Sequence, residues 1–390
     1  MTGFPALTGR FEQFREDWHP TCAGSSGGRT VRPRKGKDAK VFGRSKGLVG
    51  LDIGSSAVKA VELAAAGKSY RATAYAIEAL PPDSIVDGAI IDGAGVADTI
   101  RRVFERLGTK TREVAASLSG NVFVKKISLP QMTDAELAES IKWEAEQYIP
   151  FEIQDVNLDY EVVRGTEGAA RGSMDVLLVA AKKEKIADYT GVITQAGRVP
   201  VVVDVDAFAM QNAFEANYDP DASAITALMN MGASTININI VSGLASIFTR
   251  DVSIGGNAYT EAVQREFNLT YERAEQIKRG GSGGDVRADE VDAVLRAVSD
   301  NVLLEIQKTF DFYRSVAASD RLDRVMLSGG AARVHGFAGA LADRFGLEVE
   351  PLDPFRRIVF DASKFGVEAD EAAATAVVAV GLALRRAGDR

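Results

Sequence analysis

The residues with the clearest capacity for chemistry are Asp52, Gly54, Ser55, Ser56 and Lys59, set in the stretch GLVGLDIGSSAVKAVEL from Gly47 to Leu63. Gly54 lets the backbone approach a ligand with no Cβ in the way. Successive amides around Ser55 and Ser56 can point into one concavity, and the two hydroxyls add donors, an arrangement suited to phosphate oxygens. Asp52 can hold a hydrated divalent cation such as magnesium beside those phosphates, because hard cations prefer carboxylate and water oxygens. Lys59 adds positive charge. The same residues also suit an ordinary hairpin with a polar turn, and one such motif does not separate the two readings.

A second copy shifts the balance. Thr226 to Ile240, TALMNMGASTININI, has the same layout of strand, glycine turn, small or hydroxylated pair, and strand. Asn230 falls where Asp52 fell, Gly232 matches Gly54, Ala233 matches Ser55 and Ser234 matches Ser56, with Thr235 following. An internal duplication of this kind suggests two related halves that face one ligand. Chance recurrence of a Gly-Ser turn is the alternative.

The elements that must position these turns can be read around them. Val49, Leu51 and Ile53 alternate as one strand, and Val58, Ala60 and Val61 belong to the next. Tyr70 to Leu80 reads as a third strand stopped by Pro81-Pro82, Val96 to Leu107 as an amphipathic helix ended by Gly108, and Val114 to Leu118 as a buried strand. Hairpin strands followed by a helix and a further strand predict a mixed sheet in an α/β domain.

An insertion with its own character follows. Thr133 caps a helix with Glu136 completing a capping box, and Pro150 ends it. Leu137, Ile141, either Glu144 or Ala145, and Tyr148 lie on one face, with Trp143 and Phe151 nearby. Such aromatics serve either a small subdomain's own core or a surface for a partner peptide. Strands over Asn157–Val163 and Met174–Ala181 flank the loop GTEGAARG, expected to be mobile, and a helix from Lys185 to Ala196 follows. Strand Val199–Val203 leads to Asp204 and Asp206. A carboxylate at a strand end facing a cleft can orient an attacking water, so Asp204 is the candidate catalytic residue, while Asp206 reads as the cap of the next helix.

In the second half, Glu275 and Lys278 are three apart on a helix and project from one face, either as a solvated ion pair or as a ribose contact. GGSGG at 280–284 is an expected flexible break before a long helix from Ala288 to Val316. Gly329, Gly330 and Ala331, in VMLSGGAARVHGF, form a strand-to-helix turn whose glycines let backbone lie flat against an adenine or accept a phosphate. Ala372 to Leu384 is Ala-rich and too short to span a bilayer, which takes about 20 apolar residues, so it reads as one buried helix.

Composition bounds what remains. The chain is 46% hydrophobic and 26% charged over 390 residues, as expected for two or more globular domains. The net charge of −8 hides an asymmetry, since residues 1–46 carry ten Lys/Arg against four Asp/Glu. That leader, with little periodicity, is expected to be disordered, and its basic part suits either solvent or an anionic membrane face. The acidic remainder argues against nucleic acid as a partner. Cys22 is the sole cysteine, which fits a reducing compartment, and the two histidines make a Ser-His-Asp triad or histidine-rich metal site a poor fit. The first residues lack an apolar core, so no secretory signal is expected.

Taken together, LDIGSS, NMGAST, AEQIK at Ala274 to Lys278 and LSGGA at Leu327 to Ala331 resemble the phosphate, ribose and adenosine motifs of the actin-like ATPase superfamily. KWEAEQYIPFEI, VPVVVDVDAFA and AVGLALR narrow the resemblance to the PilM family, the FtsA-like component of the type IV pilus assembly machinery, over about residues 47–387. The resemblance implies an actin-like fold of two duplicated domains around a nucleotide cleft that takes ATP and Mg2+. It implies domain I over 47–206 with an FtsA-type subdomain inserted at about 122–196, domain II over 207–370, and a C-terminal helix, 371–390, returning to domain I. It implies a cytoplasmic protein peripheral to the inner membrane that binds the N-terminal cytoplasmic segment of PilN, with Trp143, Tyr148 and Phe151 as the docking surface. It further implies a link from the inner-membrane PilN/PilO platform complex to the pilus motor ATPase, with a ring or other oligomer left open. Two departures point to slow or absent ATP turnover: Asn230 stands where an acidic residue is common, and Val205 follows Asp204 where proline is common. A small-molecule kinase and an FtsA-like filament former are the alternatives on the same fold.

Overall fold

The computed structural model describes residues 47–388, apart from 121, 164–171, 282–285 and 318–320. The basic leader therefore lies outside the described residues, as do most of the GTEGAARG loop and part of the GGSGG stretch. The first sheet begins with β1 (Val49–Ile53), β2 (Ala57–Ala66) and β3 (Ser69–Ala79). A two-residue-strand hairpin, β4 (Ile85–Val86) and β5 (Ala89–Ile90), leads to helix α1 (Gly93–Leu107) and strand β6 (Glu113–Leu118). After an insertion made of β7 (Phe123–Pro130), α2 (Asp134–Glu146), β8 (Val156–Val163) and β9 (Ser173–Lys182), the chain continues as α3 (Lys183–Gln195), β10 (Val199–Val205) and α4 (Asp206–Asn217). The second half runs through β11 (Ile225–Met231), β12 (Ile236–Ser242), β13 (Ala245–Val252), α5 (Gly256–Phe267), α6 (Tyr271–Lys278) and α7 (Ala288–Val316). It ends with β14 (Arg324–Ser328), α8 (Phe337–Phe345), β15 (Glu348–Pro351), a four-residue α9 (Ala362–Phe365), α10 (Ala369–Thr375) and α11 (Val377–Ala383).

The duplication read from the two glycine turns extends to whole sheets. The first has strand order β10-β6-β1-β2-β3 and the second β13-β12-β11-β14-β15. In each, the strand before the glycine turn pairs antiparallel with its hairpin partner and parallel with a later strand, β1 with β6 and β11 with β14. The central strands are buried along both faces, as parallel neighbours covered by helices require. On one face of the first sheet, Val49, Leu51 and Ile53 pack with Val96, Ile100 and Phe104 of α1. Helices α5 to α8 cover the matching face of the second sheet, with Tyr259, Ile277, Phe310 and Phe337 fully or nearly buried there.

Between the two sheets lie α4, α10 and α11. Met210 and Phe214 of α4 meet Val377 and Val380 of α11, Val61 of the first sheet and Leu228 and Met326 of the second. Every residue of α11 is buried, which fits its wholly apolar sequence VVAVGLA. At roughly 1.5–3 kcal/mol per buried large aliphatic or aromatic side chain, this central layer is a main source of cohesion between the halves. The single helix expected over Ala372–Leu384 is broken at Ala376 into α10 and α11.

The insertion is a three-stranded sheet, β7-β9-β8, covered by α2. Thr133 and Glu136 form the expected capping box, and Leu137, Ile141 and Ala145 pack on Ile127, Leu129, Val176 and Leu178. Helix α3, expected inside this subdomain, instead places Ile186, Tyr189, Val192 and Ile193 in the core of the first sheet beside α1. The excursion is thus β7 to β9. Among the described residues no helix is long and apolar enough to cross a membrane.

Candidate functional site

The two glycine turns face one another across a cleft of about 350 Å³. Each is closed by the same bond: Gly54 N–H donates to Ala57 C=O at 3.1 Å, and Gly232 N–H donates to Thr235 C=O at 2.9 Å. Every residue expected to contact nucleotide lines this cleft: Asp52, Gly54, Ser55, Ser56 and Lys59 from the first turn, Asn230, Gly232, Ala233, Ser234 and Thr235 from the second, and Glu275, Lys278, Gly329, Gly330 and Ala331 from the rim.

The register explains the polar pairs behind the turns. Asp52 sits opposite Lys59 on the first hairpin, and the ammonium reaches the carboxylate at 2.9 Å. Burial alone would lower the Lys59 pKa, but the Asp52 charge and hydrogen bond outweigh it and hold the amine above its ordinary value. On the second hairpin the corresponding pair is neutral: Asn230 Nδ2 donates to Asn237 Oδ1 at 3.1 Å, and Asn237 Nδ2 donates to Asp251 Oδ1 at 2.8 Å. The second turn is also held from behind, where the N–H groups of Gly256 and Asn257, at the start of α5, donate to the carbonyls of Gly232 and Ala233. A Cβ at Gly255 would stand 2.6 Å from both carbonyl oxygens, so that close approach requires glycine.

On α6, Glu275 and Lys278 form a 2.5 Å ion pair inside a partly buried network, with Thr260 donating to Glu275 and Lys278 donating to Thr260 and the Gly256 carbonyl. Burial pulls the Lys278 pKa down despite the pair. This network fixes α6 against α5 and turns polar atoms toward the cleft. At the opposite rim, Gly329 has φ +93°, a conformation that favours glycine, and its N–H donates to Ala374 C=O at 2.7 Å.

The structure separates the two aspartates after β10. Asp206, expected as a helix cap, makes no capping bond; it accepts from Ser117 Oγ and lines the cleft beside Asp52. Burial, then the Asp52 charge, pushes its carboxyl well above the ordinary carboxylate range. Asp204, expected as the catalytic carboxylate, is absent from the cleft lining. It is 2% exposed and borders a second cavity, of about 80 Å³, between the inserted sheet, α4 and the chain end. There its Oδ2 lies 3.6 Å from Arg385 Nε with no hydrogen bond, and among the described residues Arg385 Nη2 and Asn212 Nδ2 are likewise buried without hydrogen-bond partners. Asp159 borders the same cavity, and burial pushes its carboxyl up to about 7. Sequence reading missed this cavity and, in the cleft, Ser119, Asn257, Tyr271, Glu371 and Thr375. No local motif marks them, since the fold alone gathers them.

The aromatic set divides. Trp143 is 74% exposed on α2, whereas Tyr148 and Phe151 pack against the core of the inserted sheet, beneath Lys125 and Lys182 at 4.7 and 4.8 Å from their ring centroids. Among the described residues no group of three or more His, Cys, Asp or Glu side chains is placed to hold a metal ion. A cation in the cleft would rest on Asp52 with water and phosphate oxygens, the coordination magnesium ordinarily takes.

The sequence profile of the type IV pilus assembly protein PilM matches residues 50–387. The chain belongs to the PilM family. It is 30% identical to a chain of the solved PilM–PilN type IV pilus biogenesis complex, over 87% of this chain and 98% of that one, with a TM-score of 0.76. The ethanolamine utilization protein EutJ from Carboxydothermus hydrogenoformans is similar in fold, with a TM-score of 0.50 at 17% identity over 86% of this chain and 89% of that one. The architecture is the actin-like ATPase fold, and this PilM-family chain carries the inserted β7–β9 unit on its first half.

Proposed function

We propose that this chain is an ATP-binding adaptor of the type IV pilus assembly machinery. The observation that carries the reading is the pair of matched turns, Gly54 to Ala57 and Gly232 to Thr235, opening into one cleft from two duplicated sheets. In this reading the amides and hydroxyls of both turns hold the phosphates, Lys59 offsets their charge, and Glu275 and Lys278 contact the ribose. Asp52 would hold Mg2+, which would supply positive charge to offset the phosphates, and Asp206, raised in pKa and bonded to Ser117, would hold the attacking water. The neutral Asn230–Asn237 pair supplies no second carboxylate at that position, which supports slow turnover. Calorimetric titration with Mg-ATP tests this: saturable binding is expected, and its absence in folded protein overturns the reading.

The adaptor role adds a membrane partner. The related complex pairs PilM with PilN, and the segment proposed to dock here is the cytoplasmic N-terminus of such a PilN, placing the protein at the cytoplasmic face of the inner membrane between that complex and the motor. Its seat is the second cavity. Strand β8 stands at the end of the strand order of the inserted sheet, pairing with β9, and Asp159, Tyr160, Glu161 and Val163 all border the cavity. An extended segment added beside β8 gains main-chain bonds and brings partners to the orphaned polar groups of Asp204, Arg385 and Asn212. The exposure of Trp143 favours a second seat on α2, with Tyr148 and Phe151 behind it. Phe208→Asp at the cavity and Trp143→Ala on α2 separate the two: loss of a PilN-peptide pull-down with the first variant supports the cavity, and loss with the second alone moves the seat to α2.

A further inference from the structure

We propose that Arg385 couples the nucleotide cleft to the second cavity, acting through the carboxyl-terminal segment α10–α11. The proposal rests on the adaptor reading and adds to it a route and a positioning residue. The segment touches both sites. At its start, Glu371 and Thr375 line the cleft, Glu371 pairs with Arg279 at the end of α6, and Ala374 C=O accepts from Gly329 N–H. Helix α10 is thereby tied to the second half through the turn and helix expected to meet the nucleotide.

Past the break at Ala376, α11 is tied to the first half by backbone contact. A Cβ at Gly50 would collide with Ala379 C=O, and one at Gly381 would collide with Ala209 C=O. Gly50 is two residues before Asp52, and Ala209 is three after Asp206. So α11 is wedged between the strand that ends in the first phosphate turn and the helix that begins with the cleft carboxylate. Contacts of this kind are stiff, because backbone cannot rotate away as a side chain can. Arg385 lies two residues past the end of α11 and reaches Asp204 across the cavity wall.

The Arg385–Asp204 contact is itself unfinished. At 3.6 Å it is an ion pair without a hydrogen bond, and among the described residues Arg385 Nε and Nη2 and Asp204 Oδ2 are all buried with no hydrogen-bond partner. Groups left in that condition gain from a small displacement that brings them together or toward an incoming segment. Nucleotide that draws Gly329 toward Gly54 pulls on α10, and α11, too tightly seated to absorb the pull, passes it on as a rigid unit, which shifts Arg385 against Asp204 and remakes the cavity wall.

Hydrogen exchange over 156–163 and 204–212, with and without Mg-ATP, tests the route. In the intact chain, Mg-ATP is expected to change exchange at these segments by about fivefold or more, the scale of an ordinary coupling free energy. Arg385→Gln is expected to abolish that change while calorimetry shows Mg-ATP affinity unaltered, and Arg385→Lys to restore part of it. Asp204→Asn breaks the same pair from the other side and serves if Arg385→Gln folds poorly. An unchanged nucleotide response in Arg385→Gln or Asp204→Asn overturns the proposal, as does no response in wild type that binds Mg-ATP. Wild type that binds no Mg-ATP removes the nucleotide reading and the coupling with it.

Discussion

Asp204 and Asp206 stand two residues apart at one strand-to-helix junction, yet they border different cavities. On a continuous strand such a pair shares a face. Here α4 begins at Asp206, and the change of backbone path turns that carboxylate to Ser117 and the cleft while Asp204 stays on the Arg385 side.

The junction gives the first prediction. Asp206→Asn should reduce whatever ATP turnover the protein has by roughly 100-fold, the usual scale for losing a general base. Asp204→Asn should leave it nearly unchanged. Phosphate release measured over long incubations checks this, and turnover stopped by Asp204→Asn alone would reverse the assignment.

A second prediction concerns pH. The Asp159 carboxyl sits at about 7 in the folded chain because burial disfavours its charge, against about 3.9 in an unfolded chain. Between those values the folded state binds more protons than the unfolded state, so this group makes stability fall as pH rises from about 4 to 7 and adds no slope above that. Asp206, also raised, acts in the same direction. Asp159→Asn should therefore raise the melting temperature at pH 8 and flatten its dependence between pH 5 and 7. A wild type whose Tm rises through that range, with Asp159→Asn unchanged, would contradict the burial argument.

The central layer supplies a third. Gly50 lies against the backbone of α11 at Ala379 and Ala383. Gly50→Ala should cost about 1–3 kcal/mol, the range for overpacking a closed interior. Gly108→Ala meets no atom within 4 Å and strains only its left-handed φ of +64°, so it should cost less. Urea unfolding compares the two, and equal midpoints would show that α11 yields.

What sequence could say about this fold follows from what is local. The turns at Gly54 and Gly232, the capping box at Thr133 and the helix from Ala288 to Val316 are specified by neighbours within a few residues, and the structure forms each of them. The pairing of Asp52 with Lys59 and Asn230 with Asn237 follows from one hairpin register used twice. Where distant segments decide, periodicity was silent. Asp159 and Arg385 line one cavity only because the inserted sheet folds back over the segment after α11, and α3 joins α1 because its apolar face finds a larger core there. The break at Ala376 carries no glycine or proline to announce it; the two halves of the segment pack on different partners instead.

The most direct measurement is calorimetric titration of Mg-ATP into wild type and Gly330→Asp. Gly329 is unsuitable for this test, since any Cβ there would collide with the Met231 backbone. At Gly330 the nearest atom to a Cβ is Thr375 Cγ2 at 3.8 Å, so a side chain fits and sets a carboxylate in the cleft. The account predicts saturable binding by wild type and its loss in Gly330→Asp at an unchanged melting temperature. Equal binding by both proteins, or none by wild type, would contradict it.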